Sequence, residues 1–142
     1  MPRGLRAVRV AVTVLAPVFA LALLAAALDV VPRRIGYSVG GRAVSRGEWL
    51  RVAAPLFALS ALWFGAAAVG MWRGRRWARG CIVGAFATVL VYALGGLLAG
   101  TMPPALAWRA VAEAGVIGAA AWWYLYRKAN VAAYFDGLRG GD

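Results

Sequence analysis

The sequence predicts an all-α integral membrane protein: four antiparallel transmembrane helices, a short extracytoplasmic β-hairpin loop and a C-terminal amphipathic tail. Three observations lead there. Of 142 residues, 63% are hydrophobic and only 15% charged, far from the balance of a soluble domain. Apolar runs of about twenty residues, long enough to cross a bilayer, recur along the chain. The arginines gather at the ends of those runs, most densely in Trp72-Arg73-Gly74-Arg75-Arg76-Trp77-Ala78-Arg79. Short loops rich in Arg and Lys stay on the cytoplasmic side, so this loop orients every run around it. The expected spans are 8–30, 46–72, 79–100 and 105–127, with an outer loop at 30–45 and a tail at 128–142, all in one membrane domain over 1–142.

Helix 1 follows Arg3, Arg6 and Arg9, and its uncharged run from Val10 to Leu28 measures about 28 Å at 1.5 Å per residue. Its basic start and Ala25-Ala26-Ala27 also fit a cleaved signal peptide, but the run exceeds the usual signal core. Pro17 removes a backbone hydrogen bond within it and predicts a kink.

In the outer loop, Ile35, Tyr37 and Val39 alternate with Gly36 and Ser38, and Gly40-Gly41 then precedes Arg42-Ala43-Val44. That pattern predicts a β-hairpin resting on the outer helix ends. Ser45-Arg46-Gly47-Glu48 matches the capping box and starts helix 2 near Arg46. Helix 2 then runs uncharged from Val52 to Trp72, with Pro55 in its first turns, where proline costs least.

Helix 3 follows the basic loop and ends at Thr101-Met102-Pro103-Pro104, a turn through which neither neighbouring helix can continue. Helix 4 closes at Arg127 and Lys128. Beyond them Val131, Tyr134, Phe135 and Leu138 form an apolar stripe, predicting a short helix on the inner membrane surface until Gly140-Gly141. Both termini are then cytoplasmic. Ten basic residues fall inside and six outside (Arg33, Arg34, Arg42, Arg46, Arg51 and Arg109), a modest inside bias. The tryptophans agree: Trp49 and Trp108 fall at the outer boundary, Trp72, Trp77, Trp122 and Trp123 at the inner one, and only Trp63 at depth.

With a net charge of +11, nucleic acid is the obvious alternative partner. The charges flank apolar runs rather than covering one soluble face, so topology explains them and no nucleic-acid partner is expected. Histidine is absent and Cys81 is the single cysteine, so no metal site, disulfide or cofactor is expected, nor an enzyme. Cys81 reads as a packing residue, with reversible acylation as the alternative. Arg73, Arg75, Arg76 and Arg79 form the cytoplasmic basic loop, which sets topology and attracts anionic lipid.

Gly80, Gly84, Gly96, Gly100, Ala114 and Gly118 recur at spacings that let helices approach closely and form packing seams, within one chain or between copies. Glu113 is the sharpest feature, a carboxylate well inside helix 4 with Arg109 one turn above. Matching depths on the antiparallel neighbours gives Tyr92 and Ser60, so a buried polar layer of Glu113, Arg109, Tyr92 and Ser60 is expected. Asp29 reads as an interfacial, solvated carboxylate, with a pair to Arg33 or Arg51 as the alternative.

The expected role is a small multi-pass membrane protein acting as a non-catalytic interaction or accessory subunit. Its partners are the lipid bilayer and another membrane protein or a second copy of itself. The alternative is a small proton-coupled transporter or channel using Glu113. Richness in Ala, Gly and Arg with one lysine points to a GC-rich bacterial genome and an inner (cytoplasmic) membrane.

Overall fold

The structure, a computed structural model, describes residues 1–31, 36–39 and 42–138. In chain order its elements are α1 (Arg3–Ala27), β1 (Ser38–Val39), β2 (Arg42–Ala43), α2 (Arg46–Val52), α3 (Ala54–Trp72), α4 (Ala78–Leu98), α5 (Pro104–Tyr126) and α6 (Ala129–Gly137). Among the described residues, three helices, α1, α3 and α4, are long and apolar enough to cross a membrane. Within the chain, only 11%, 33% and 17% of their most apolar windows are buried. So much uncovered apolar surface is compatible with a membrane protein. With 23 residues, α5 is long enough, at about 34 Å. It is not among the three, because Arg109, Glu113 and the Trp and Tyr rings at its end lower its mean hydropathy.

The helices pack in sequence order, α1 on α3, α3 on α4 and α4 on α5. At the end carrying the basic loop, here called the basic end, α1 and α5 also meet. Gly4 lies against the Tyr124 hydroxyl, so a side chain at this position would push the tip of that ring aside. The main core lies toward this end and includes Leu5, Met71, Ile82, Leu125, Val131 and Phe135. Farther along, Phe19 stacks on Phe64 at 5.8 Å and meets Phe57 edge-on at 5.2 Å.

At the opposite, hairpin end, β1 and β2 pair antiparallel with Ser38 opposite Ala43 and Val39 opposite Arg42. A bond from Val44 N to Tyr37 O at 2.9 Å extends the pairing. The expected turn at Gly40-Gly41 lies outside the described residues, as do Ile35, Arg33, Arg34 and Gly140-Gly141. The hairpin rests on α2 through Tyr37 and Trp49, whose ring centroids are 6.0 Å apart.

Three sequence expectations need correction. First, α1 starts at Arg3 rather than near residue 8 and ends at Ala27 rather than 30, continuing through Pro17. Arginine is a good helix former, so the basic tail joins the helix. The chain leaves it at Asp29, which takes a positive φ of 57°, while Val30 N bonds Ala25 O at 3.0 Å. That is a Schellman ending, which recurs after α3 and α4 with Gly74 and Gly100 in the positive-φ position.

Second, the single expected helix over 46–72 is two helices, α2 and α3, separated at Ala53. Proline at position 55 has no N–H, and its ring crowds the carbonyl four residues earlier, on Arg51. Residue 54, preceding it, is also biased away from the helical region. Ser45 caps α2 as expected, its Oγ accepting from Glu48 N at 3.1 Å. The reciprocal half of the capping box is missing because the Glu48 carboxylate turns to Arg42.

Third, the apolar stripe of the tail does not lie open to a membrane surface. Val131 and Phe135 on α6 are 0% and 1% exposed, inside the chain's own core.

Candidate functional site

The four residues of the expected polar layer do not converge. Arg109 Nε donates to Glu113 Oε1 at 2.7 Å, an i,i+4 ion pair whose side chains are 70% and 59% exposed. Glu113 lies nine positions after Pro104, hence about 14 Å along α5. Ser60 is buried on α3, and the Tyr92 hydroxyl donates to Val52 O at 2.5 Å. Among the described residues, no hydrogen bond joins Glu113 to Tyr92 or Ser60. Matching depths along the chain do not bring side chains together, because helix rotation decides which way each residue points. Ala107 and Ala114, rather than Glu113, occupy the buried face of α5.

The face of α5 that carries the pair is open along its length. Ala105, Arg109, Ala112, Glu113, Val116 and Ala120 are all exposed, and the ion pair is the charged element of that otherwise apolar, small-residue stripe.

Tyr92 closes the gap that Pro55 opens. Where the helix breaks, Val52 O accepts from the Tyr92 phenol of α4. A part-buried carbonyl at the break thereby gains a partner. Above this bond, α2 and α4 stand apart around a cleft of about 950 Å³ bordered by Ser45, Glu48, Arg51, Tyr92, Gly95 and Ala99. A smaller space of about 350 Å³, reaching Arg42 and Arg109, shares Glu48, Val52 and Thr101 with it. Glu113 borders neither.

The charges of the hairpin end are mostly paired. Arg42 contacts Glu48 at 2.5 Å. Arg46 pairs with Asp29 at 3.7 Å; of the alternative partners, Arg33 lies outside the described residues and Arg51 makes no such pair. The Arg46 guanidinium also donates to Ala26 O at 2.8 Å and Ala27 O at 2.5 Å, covering the negative end of α1. Tyr37 Oη donates to Asp29 Oδ1 at 3.1 Å. Desolvation, then this bond and the charge of the carboxylate, push the Tyr37 phenol above its ordinary pKa, while Arg46 pulls the other way. Among the described residues, Arg51 has no ion-pair partner.

The small residues divide by role. A Cβ on Gly84 would meet the Trp63 ring at 3.1 Å, and one on Gly118 would meet Phe86 Cβ at 3.0 Å. These are seams between α3 and α4 and between α4 and α5. Ala114 is buried beside the second seam. Gly80 is in ordinary contact range of Tyr126, and Gly96 faces Met102 of the following turn. Gly100 serves the turn itself through its φ of 66°. Trp63 Nε1 also donates to Thr88 Oγ1 at 2.9 Å, and that hydroxyl donates to Gly84 O at 2.9 Å. Trp63 is the tryptophan that the sequence sets at depth, and no local pattern points to its partner Thr88.

Half of the basic loop holds the tail. Arg76 donates to the carbonyls of Asp136 and, at 2.7 Å, Leu138, capping the C-terminal end of α6. Arg79 reaches Asp136 Oδ1 at 3.4 Å and lies 4.6 Å over the Tyr126 ring. On the other side of this end, Arg9 stacks over Trp72 at 4.2 Å, while Trp72 Nε1 donates to Thr13 Oγ1 at 3.1 Å.

Among the described residues, no group of three or more carboxylate, Cys or His side chains is placed to hold a metal. No family model, curated protein or solved structure matches the chain.

Proposed function

We propose that this chain is a four-span protein of a bacterial inner membrane, with both ends and the basic loop in the cytoplasm. It acts as a non-catalytic interaction subunit that receives another membrane helix on the open face of α5. The carrying observation is the Arg109–Glu113 pair, more than half exposed and about 14 Å into its helix.

Charged groups at membrane depth cost several kcal/mol when they face lipid, roughly 2.5–3.5 per residue on insertion scales. Pairing lowers that cost but does not remove it. A covering helix relieves it. The stripe suits such a helix, because Ala105, Ala112 and Ala120 let a neighbouring backbone come close, and in lipid close packing drives association. The pair is also self-complementary. In a parallel two-fold arrangement equivalent residues lie at equal heights, and each Arg109, one turn above, can reach diagonally down to the other copy's Glu113, so a second copy is a fitting occupant. Transport through Glu113 has no comparable support, since neither cleft reaches that carboxylate.

A photo-crosslinking side chain placed at Ala112 in native membranes tests this reading. It is expected to capture protein, with the adduct mass separating a second copy from another subunit, while the same probe at Val14 on exposed α1 captures lipid. Lipid adducts alone at Ala112 would refute it.

A further inference from the structure

We infer that the cleft between α2 and α4 is a binding site for a lipid with an anionic, phosphate-bearing headgroup, held by Arg51 with its acyl chain along α4. The inference rests on the membrane reading but concerns a different surface from the α5 face.

The cleft exists because of local sequence. Pro55 breaks the helix at Ala53, and Tyr92 ties the break to α4 by one hydrogen bond at 2.5 Å, leaving the space above it open at about 950 Å³. That volume lies at the upper end of small-ligand sites. On α4 the wall is made by Val91, Gly95 and Ala99, four residues apart and therefore on one face. A Cβ on Gly95 would meet nothing within 4 Å, so the wall is a shallow apolar channel rather than a packed seam.

The other wall carries the charge. Glu48 is neutralised by Arg42 at 2.5 Å, which leaves Arg51 as the cation without an ion-pair partner among the described residues bordering this cleft. Its planar fork of N–H donors matches a phosphate diester in two-point contact. Ser45, whose oxygen accepts from Glu48 N, keeps its hydroxyl proton free to donate to the same group. One unpaired guanidinium and a hydroxyl above an apolar channel fit an anion joined to hydrocarbon. A free inorganic anion would leave the channel unused.

The test uses the full chain in nanodiscs of mixed phosphatidylglycerol and phosphatidylcholine, with photoactivatable versions of each lipid and peptide mass spectrometry to place the adducts. The phosphatidylglycerol probe is expected to label 45–52 and 91–102 at least fivefold more than the phosphatidylcholine probe. Arg51→Gln should remove most of that preference. Gly95→Leu, which fills the channel, should lower labelling at 91–102 several-fold with helix content unchanged. Equal labelling by the two probes, or a preference indifferent to Arg51→Gln, would overturn the inference. So would loss of labelling on adding inorganic phosphate, which would make the occupant a free anion. Adducts along Val10 to Val18 report that the chain is in the bilayer. Their presence without cleft preference overturns the lipid site alone, and their absence overturns the membrane reading with it.

Discussion

Tyr92 shows what a single side chain does here. Its hydroxyl satisfies the Val52 carbonyl at the helix break, so Tyr92→Phe takes the phenol away from a part-buried acceptor. The expected cost is about 1 kcal/mol, read as a lower midpoint in denaturation of the detergent-solubilised protein. An unchanged midpoint would mean water replaces the phenol there. Tyr37 gives a pH dependence of known sign. Its phenol is held above the ordinary value of 10.0, so its neutral, donating form stabilises the hairpin end below that pH. The contribution disappears as pH rises through the folded-state value. Spectrophotometric titration of the wild type against Tyr37→Phe should show one tyrosine ionising late, and Asp29→Asn should bring it earlier. Neither partner was legible from sequence, because both bonds join residues whose meeting depends on the break at Ala53 and on the course of the outer loop.

Most helices were legible, because apolar run length and the caps that end a run are local properties. Thr101 to Pro104 and Ser45 mark boundaries that the structure keeps within about two residues. Helix rotation was not legible. Mean hydropathy is high all round α3 and α4, so no apolar stripe points to the core, and the sequence leaves open which face of α5 carries Glu113. The α3–α4 seam gives a direct test. Gly84→Leu drives a side chain into the Trp63 ring, 3.1 Å from where its Cβ would sit, and overpacking of that kind costs about 1–3 kcal/mol. Gly95→Leu, facing open space, should leave the same thermal midpoint unmoved. For α6, Arg76→Gln removes the cap on its last carbonyls. Amide exchange across residues 129–137 should rise about tenfold while α3 and α4 keep their protection. Equal loosening of all the helices would instead make the tail part of one cooperative unit.

At the scale of the whole molecule, composition alone gave a membrane protein, and the exposed apolar surface of α1, α3 and α4 agrees with it. The fourth crossing rests on α5, which carries the Arg109–Glu113 pair and an aromatic end that dilute its hydropathy. If α5 crosses, that pair lies inside the bilayer and its exposed face needs a partner. If it lies on a surface, the pair is solvated and that need vanishes. The deciding measurement is labelling of single cysteines at Thr101 and Asn130, which flank α5, in a Cys81→Ala background. An impermeant maleimide would be applied to sealed vesicles of each orientation. A four-span chain exposes Thr101→Cys only on the outer side and Asn130→Cys only on the cytoplasmic side. Labelling of both from the same side would contradict the fourth span and, with it, the docking role of α5.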